Sequence, residues 1–191
     1  MKKLLSIAII PRSLIIWTAF MVLMWLVFYL GQLTHPQAWS NPILSMPVTG
    51  WEVLWFILMH NIPLALLIVI GNLFVRFGDF TPGLLILGIR AVSIGWTAGT
   101  NSFIDHFSSV SEANLAFLRI GLWETTAYVL ICAVTLTKSL YVADSFPAKR
   151  WIEIKQLKDI RFTSNEYLII AVGACCLLWA AFVEAFLPFG L

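Results

Sequence analysis

The chain has 191 residues, of which 60% are hydrophobic and 12% charged, and its mean hydropathy is +0.90. These values exclude an ordinary soluble domain, because the apolar residues fall in long runs that need lipid around them. The formal net charge of +2 is small, so where the charges lie matters more than their sum.

The N-terminal MKKLLSIAIIPRS has the outline of a signal peptide, but Pro11 and Arg12 interrupt it and no small-residue cleavage site follows. It reads as a retained, basic lead-in lying at the membrane interface. A transmembrane helix needs about 20 mostly apolar residues. Five runs qualify, at 13–33, 53–75, 82–100, 117–138 and 167–188. The expected fold is therefore all-α, a polytopic helical membrane protein forming a single transmembrane domain over 1–191.

The loops set the orientation. Lys2, Lys3, Arg12, Arg76, Lys138, Lys149, Arg150, Lys155, Lys158 and Arg161 are ten of the twelve cations, and five spans put them all on one side. The positive-inside rule then places the N-terminus in the cytoplasm and the C-terminus outside. On the outer side, THPQAWSNPILSMPVTGW carries Pro36, Pro42 and Pro47, with Trp39 and Trp51 suited to the headgroup layer. The second outer segment, 101–116, suits a short surface helix.

The cytoplasmic loop 139–166 carries more information. Asp144 or Ser145 would cap a helix started by Pro147. Trp151, Ile154, Leu157 and Ile160 then recur every three residues among Lys149, Arg150, Lys155, Lys158 and Arg161. Two readings follow: an amphipathic helix on anionic lipid, or a docking helix for a cytoplasmic partner.

Charged groups inside spans are costly, about 2.5–3.5 kcal/mol at the centre on translocon scales. Here His60, Asn61, Asn72, Arg90, Glu124 and Glu184 all fall within spans. A rise of about 1.5 Å per residue puts His60, Asn61 and Glu124 roughly 10 Å below the outer surface, Glu184 shallower and Arg90 near the middle. One reading is a satisfied cluster, with Arg90 paired to Glu124 or Glu184 and hydrogen bonds completed by Asn61, Thr125 and Thr126. A cavity for a substrate, ion or proton is the second reading, and a catalytic site the third.

Catalysis lacks a recognisable motif. His35, His60 and His106 are too scattered for a metalloprotease pair, and a Ser93–His60 pairing would be needed for an intramembrane serine hydrolase. Cys132, Cys175 and Cys176 lie in apolar runs without metal-ligand spacing and read as packing residues. No metal, cofactor or nucleic acid is expected. Ala91, Gly95 and Gly99 form a small-xxx-small face on the third span, and Gly71, Gly83, Gly88 and Gly121 suggest further close crossings.

In order, these features resemble the stage II sporulation protein M family. The family pattern of a phenylalanine and paired asparagines is matched by Phe56 and His60-Asn61, and Gly71 matches a small residue. TPGLLILGIRAVSIG at 81–95 resembles its glycine-spaced helix. The His-Gly-x-x-Glu signature resembles Ile120-Gly121-Leu122-Trp123-Glu124 followed by Ala127, and the closing motif resembles Ala180-Ala181-Phe182-Val183-Glu184. Ile120 stands where the signature has histidine, and His60 where it has asparagine.

The resemblance implies a non-enzymatic subunit of a cell-envelope or export complex. Its sporulation member works with a cell-wall hydrolase and its scaffold, and other members look like accessory subunits beside a transport ATPase. The expected setting is the bacterial cytoplasmic membrane, with lipid, other subunits or a second copy as partners. A small permease using the polar layer is the alternative, and an intramembrane hydrolase the third.

Overall fold

The computed structural model of the chain describes residues 4–39, 48–103, 106–143 and 149–187. Five helices are long and apolar enough to cross a membrane. They are α1 (Ile9–Thr34), α2 (Trp51–Phe74), α3 (Pro82–Gly99), a continuous helix over Val110–Thr135, and α6 (Ser164–Phe186). The fourth is built from α4 (Val110–Ala116), a π-helical turn (Phe117–Gly121) and α5 (Leu122–Thr135). The fold is all-α and polytopic, and it has one addition that the sequence reading lacked. Strands β1 (Val75–Arg76), β2 (Tyr141–Ala143) and β3 (Trp151–Glu153) form a small sheet in the order β1-β2-β3.

Several helix starts follow from local chemistry. Thr81 caps α3 by accepting from the Leu84 amide at 3.1 Å, and Pro82 takes the first helical position, where a missing N–H costs nothing. Thr163 and Glu166 form a reciprocal capping box at the start of α6. Pro11 is tolerated because α1 begins at Ile9, so its ring lies in the first turn. The lead-in before α1 is tied down, since the Leu4 amide donates to Asp79 Oδ2 at 2.9 Å.

The interior joins α1, α2, α3 and α5 through Ile16, Phe20, Ile68, Leu87, Ala127 and Tyr128, among others. A smaller cluster of Ile57, Leu58, Ala181 and Ala185 joins α2 to α6. The outward faces are apolar too: Leu26, Trp55, Leu66, Ile70, Leu168 and Leu178 are all exposed, as lipid-facing residues should be.

Close crossings rest on particular glycines. A Cβ on Gly99 would stand 2.2 Å from the Phe28 carbonyl oxygen, and one on Gly95 2.3 Å from that of Met24, so α1 and α3 touch backbone to backbone. A Cβ on Gly71 would lie 2.5 Å from the Gly83 amide nitrogen, which sets the α2–α3 hairpin. Two of the expected glycines make no crossing among the described residues of this chain. Gly88 has open space where a Cβ would go, and the Cβ of Gly121 would meet only the Phe117 ring of its own helix.

The segments sort to two ends of the bundle. At one, the sheet pairs the residues after α2 with those after α5 and with β3, gathering Arg76, Lys138, Lys149, Arg150, Lys155, Lys158 and Arg161. At the other, Asn101 donates to the Ala38 and Phe107 carbonyls at 2.9 and 3.0 Å, and the Gly50 amide donates to the Ala185 carbonyl at 3.0 Å. Asn101 holds a left-handed φ of 49°, and its side chain, which also accepts from the Phe107 amide, holds that turn closed.

The loop between α5 and α6 corrects an expectation. Instead of an amphipathic helix from Pro147 to Arg161, Trp151–Glu153 pairs antiparallel with Tyr141–Ala143, and only Leu157–Asp159 makes a single 3-10 turn. A lone surface helix of that length is marginal by itself, whereas the aromatic and β-branched Trp151-Ile152 gain strand hydrogen bonds from β2. Asp144, Ser145 and Pro147, which would have started the helix, lie outside the described residues, as do Lys2 and Lys3.

Candidate functional site: an ion pair in mid-span and a polar hub at the cationic end

Arg90 lies halfway along α3, and its Nη2 donates to Glu124 Oε1 at 2.8 Å. Their side chains are 32% and 12% exposed. Of the two carboxylates open to Arg90, Glu124 makes the contact. Glu184, near the far end of α6, is exposed, and no ion pair joins it to Arg90 among the described residues, although it lies within electrostatic reach of both.

This geometry revises the depth of Glu124. Its helix begins at Val110 rather than at residue 117, so Glu124 lies about 20 Å along it on a 1.5 Å rise, close to the middle and level with Arg90. The π-turn just before it also matters. Thr125 Oγ1 donates back to the Gly121 carbonyl at 2.8 Å and to that of Leu122 at 3.2 Å, serving its own helix and not the ion pair. Thr126 Oγ1 accepts from Trp17 Nε1 at 3.1 Å, which links α1 to α5.

His60 does not enter the layer. Its ring is exposed and tilted against Phe56, and Nδ1–H donates to the Phe56 carbonyl at 2.8 Å. Asn61, by contrast, is buried, one turn on from Ile57 and Leu58, which pack against α6. Ser93 is exposed on α3, and no hydrogen bond joins it to His60 among the described residues.

The densest polar cluster lies elsewhere. Asn72 is fully buried near the end of α2. Its Nδ2 donates to Thr135 Oγ1 at 2.8 Å and to the Cys132 carbonyl at 3.1 Å. Its Oδ1 accepts from the Thr81 hydroxyl, the same group that caps α3. Its backbone carbonyl accepts from Ser139 Oγ at 2.7 Å. One amide thus joins α2, α3, α5 and the segment leading to β2. Gly83 is glycine because a Cβ there would lie 2.3 Å from Asn72 Oδ1.

Beside the hub, Lys138 pairs with Glu166 at 2.9 Å, with side chains 11% and 9% exposed, and also donates to the Arg161 carbonyl. Arg12 is buried, only 3% exposed, within electrostatic reach of Glu166. Sequence reasoning treated Lys138 and Arg12 as interface cations and passed over Glu166. Thr163-x-x-Glu166 before an apolar run was the available signal.

A polytopic α-helical membrane protein, with one charged tie in mid-span and a polar hub at its cationic end, is the class that fold and site define. The chain belongs to the stage II sporulation protein M family, whose model matches residues 9–188. Comparison with the curated proteins and with the solved structures gave no match.

Proposed function

We propose that the chain is a non-catalytic integral membrane subunit of a cell-envelope or export complex in the bacterial cytoplasmic membrane, with its cationic end in the cytoplasm. The observation that carries this reading is the Arg90–Glu124 contact, in which the two mid-span charges are spent on each other and bind α3 to α5. Family membership over 9–188 supports a membrane protein of this family. The polar hub at Asn72 serves the same end, holding four segments in one arrangement on which partners assemble.

A second reading, a small proton-linked permease, has one observation in its favour. Among the described residues, Arg90 Nε and the fully buried Tyr128 hydroxyl make no well-formed hydrogen bond, and Tyr128 lies within reach of Glu124, an arrangement that suits proton movement beside the ion pair. The two readings part in liposomes. For a subunit, wild type and Glu124→Gln protein dissipate an imposed pH gradient at the same background rate. A wild-type flux that Glu124→Gln abolishes, with the protein still folded, would establish the permease.

A further inference from the structure

Among the described residues, the segment after β2 leaves an apolar surface outside the spans uncovered. All three residues of edge strand β3 are exposed, and the segment after it exposes Ile154 and Leu157. Trp151 and Ile152 are 51% and 52% exposed, and Leu157 68%. Apolar side chains exposed in this number on a segment facing water alone would be a liability.

Its position removes the difficulty. The Trp151 ring meets Phe74 edge-on with centroids 4.9 Å apart, and Phe74 is the last residue of α2. Phe74 is itself exposed, and the outward face of α2 continues from it through Ile70, Leu67 and Leu66. Trp151 therefore prolongs the lipid-facing side of α2 at the level where that helix leaves the hydrocarbon, on the sheet face it shares with Tyr141, while Ile152 lies with Val142 on the opposite face. Tryptophan favours that level. Along this segment, Lys149, Arg150, Lys155, Lys158 and Arg161 are exposed, opposed by Glu153 and Asp159 as exposed carboxylates.

We propose that β3 and the turn after it form a docking surface for anionic phospholipid headgroups. Trp151 rests at the boundary of the acyl chains, and the surrounding cations reach lipid phosphates. Continuity with the lipid-facing side of α2 and the excess of cations both favour this occupant over an acidic protein. Each basic residue near an anionic leaflet strengthens binding by about fivefold. The proposal stands apart from the subunit reading, since it concerns which lipid the chain holds and not which proteins it meets.

The test is competition between phosphatidylglycerol and phosphatidylcholine of identical acyl chains for the purified full chain, read by native mass spectrometry. Wild type is expected to retain phosphatidylglycerol preferentially. The combined variant K149Q/R150Q/K158Q/R161Q should lose that preference by about tenfold or more while melting at the wild-type temperature. Lys155 is left in place because its Nζ donates to the Thr137 carbonyl at 3.4 Å. Glu153→Gln, which removes an opposing charge at an exposed position, should raise the preference several-fold. Equal retention of the two lipids by wild type, or an unchanged preference in the folded combined variant, would overturn the proposal. If the combined variant does not fold, an unchanged preference in Glu153→Gln overturns it alone.

Discussion

Arg90 and Glu124, on successive spanning helices, close a 2.8 Å charge-assisted hydrogen bond at the middle of their spans. The relationship matters because breaking such a pair leaves a charge facing hydrocarbon, whereas removing both charges does not. Arg90 is about one-third exposed, and its long side chain can extend along α3 toward the interface, which relieves part of the penalty. Glu124→Gln should destabilise the protein by about 1–3 kcal/mol, and Arg90→Gln should act in the same direction. The double change should cost less than the sum of the two. Thermal unfolding in a mild detergent, analysed as a double-mutant cycle, reads this directly.

Asn72 predicts a larger loss. Asn72→Leu removes the bonds to Thr135, Cys132 and Thr81 together and brings a branched chain against Gly83. At about 0.6–2 kcal/mol for each interhelical hydrogen bond, the change should cost about 2–4 kcal/mol. Thr81→Ala should cost less, because it loses only one of those bonds along with the α3 cap. The same unfolding measurement ranks them.

The glycines separate into two classes by space alone. Gly99→Ala and Gly95→Ala should each lower the melting temperature clearly, because the new methyl would meet the backbone of α1. Gly88→Ala should be neutral or stabilising by up to about 1 kcal/mol, since alanine favours a helix interior and nothing stands in its way.

His60→Leu should change stability by no more than about 0.5 kcal/mol. The ring is exposed and bonds only its own helix, so a lipid-compatible side chain replaces it without opening a cavity. A larger loss of stability would place His60 against a neighbour that the fold does not give it.

Much of the fold is legible in the sequence because lipid imposes length and polarity on each span, and all five spanning helices are visible as apolar runs. What periodicity misled was the loop after α5. Trp151, Ile154 and Leu157 repeat like a helix face, yet antiparallel pairing with Tyr141–Ala143, a few residues earlier in the chain, wins because it supplies backbone hydrogen bonds and an Ala143–Trp151 register that residue spacing alone does not show. The site was legible in part. Arg90 and Glu124 stand out as charges in apolar runs, but hydropathy gives no direction around the helix axis, so His60 and Asn61, adjacent in sequence, were grouped although one faces outward and the other inward. Asn72 stood out as a polar residue within a span, but its central role did not, because it depends on partners brought together from Thr81, Cys132 and Thr135.

The central claim is that the helices are tied together to present a subunit to other chains. The most direct measurement is the mass and composition of the particle that holds the protein when it is extracted, at native expression, into lipid nanodiscs without detergent. The account predicts a particle containing a second kind of chain in fixed proportion to this one of 21.5 kDa, and release of that chain in Glu124→Gln protein. A wild-type particle holding only this chain and lipid would contradict it.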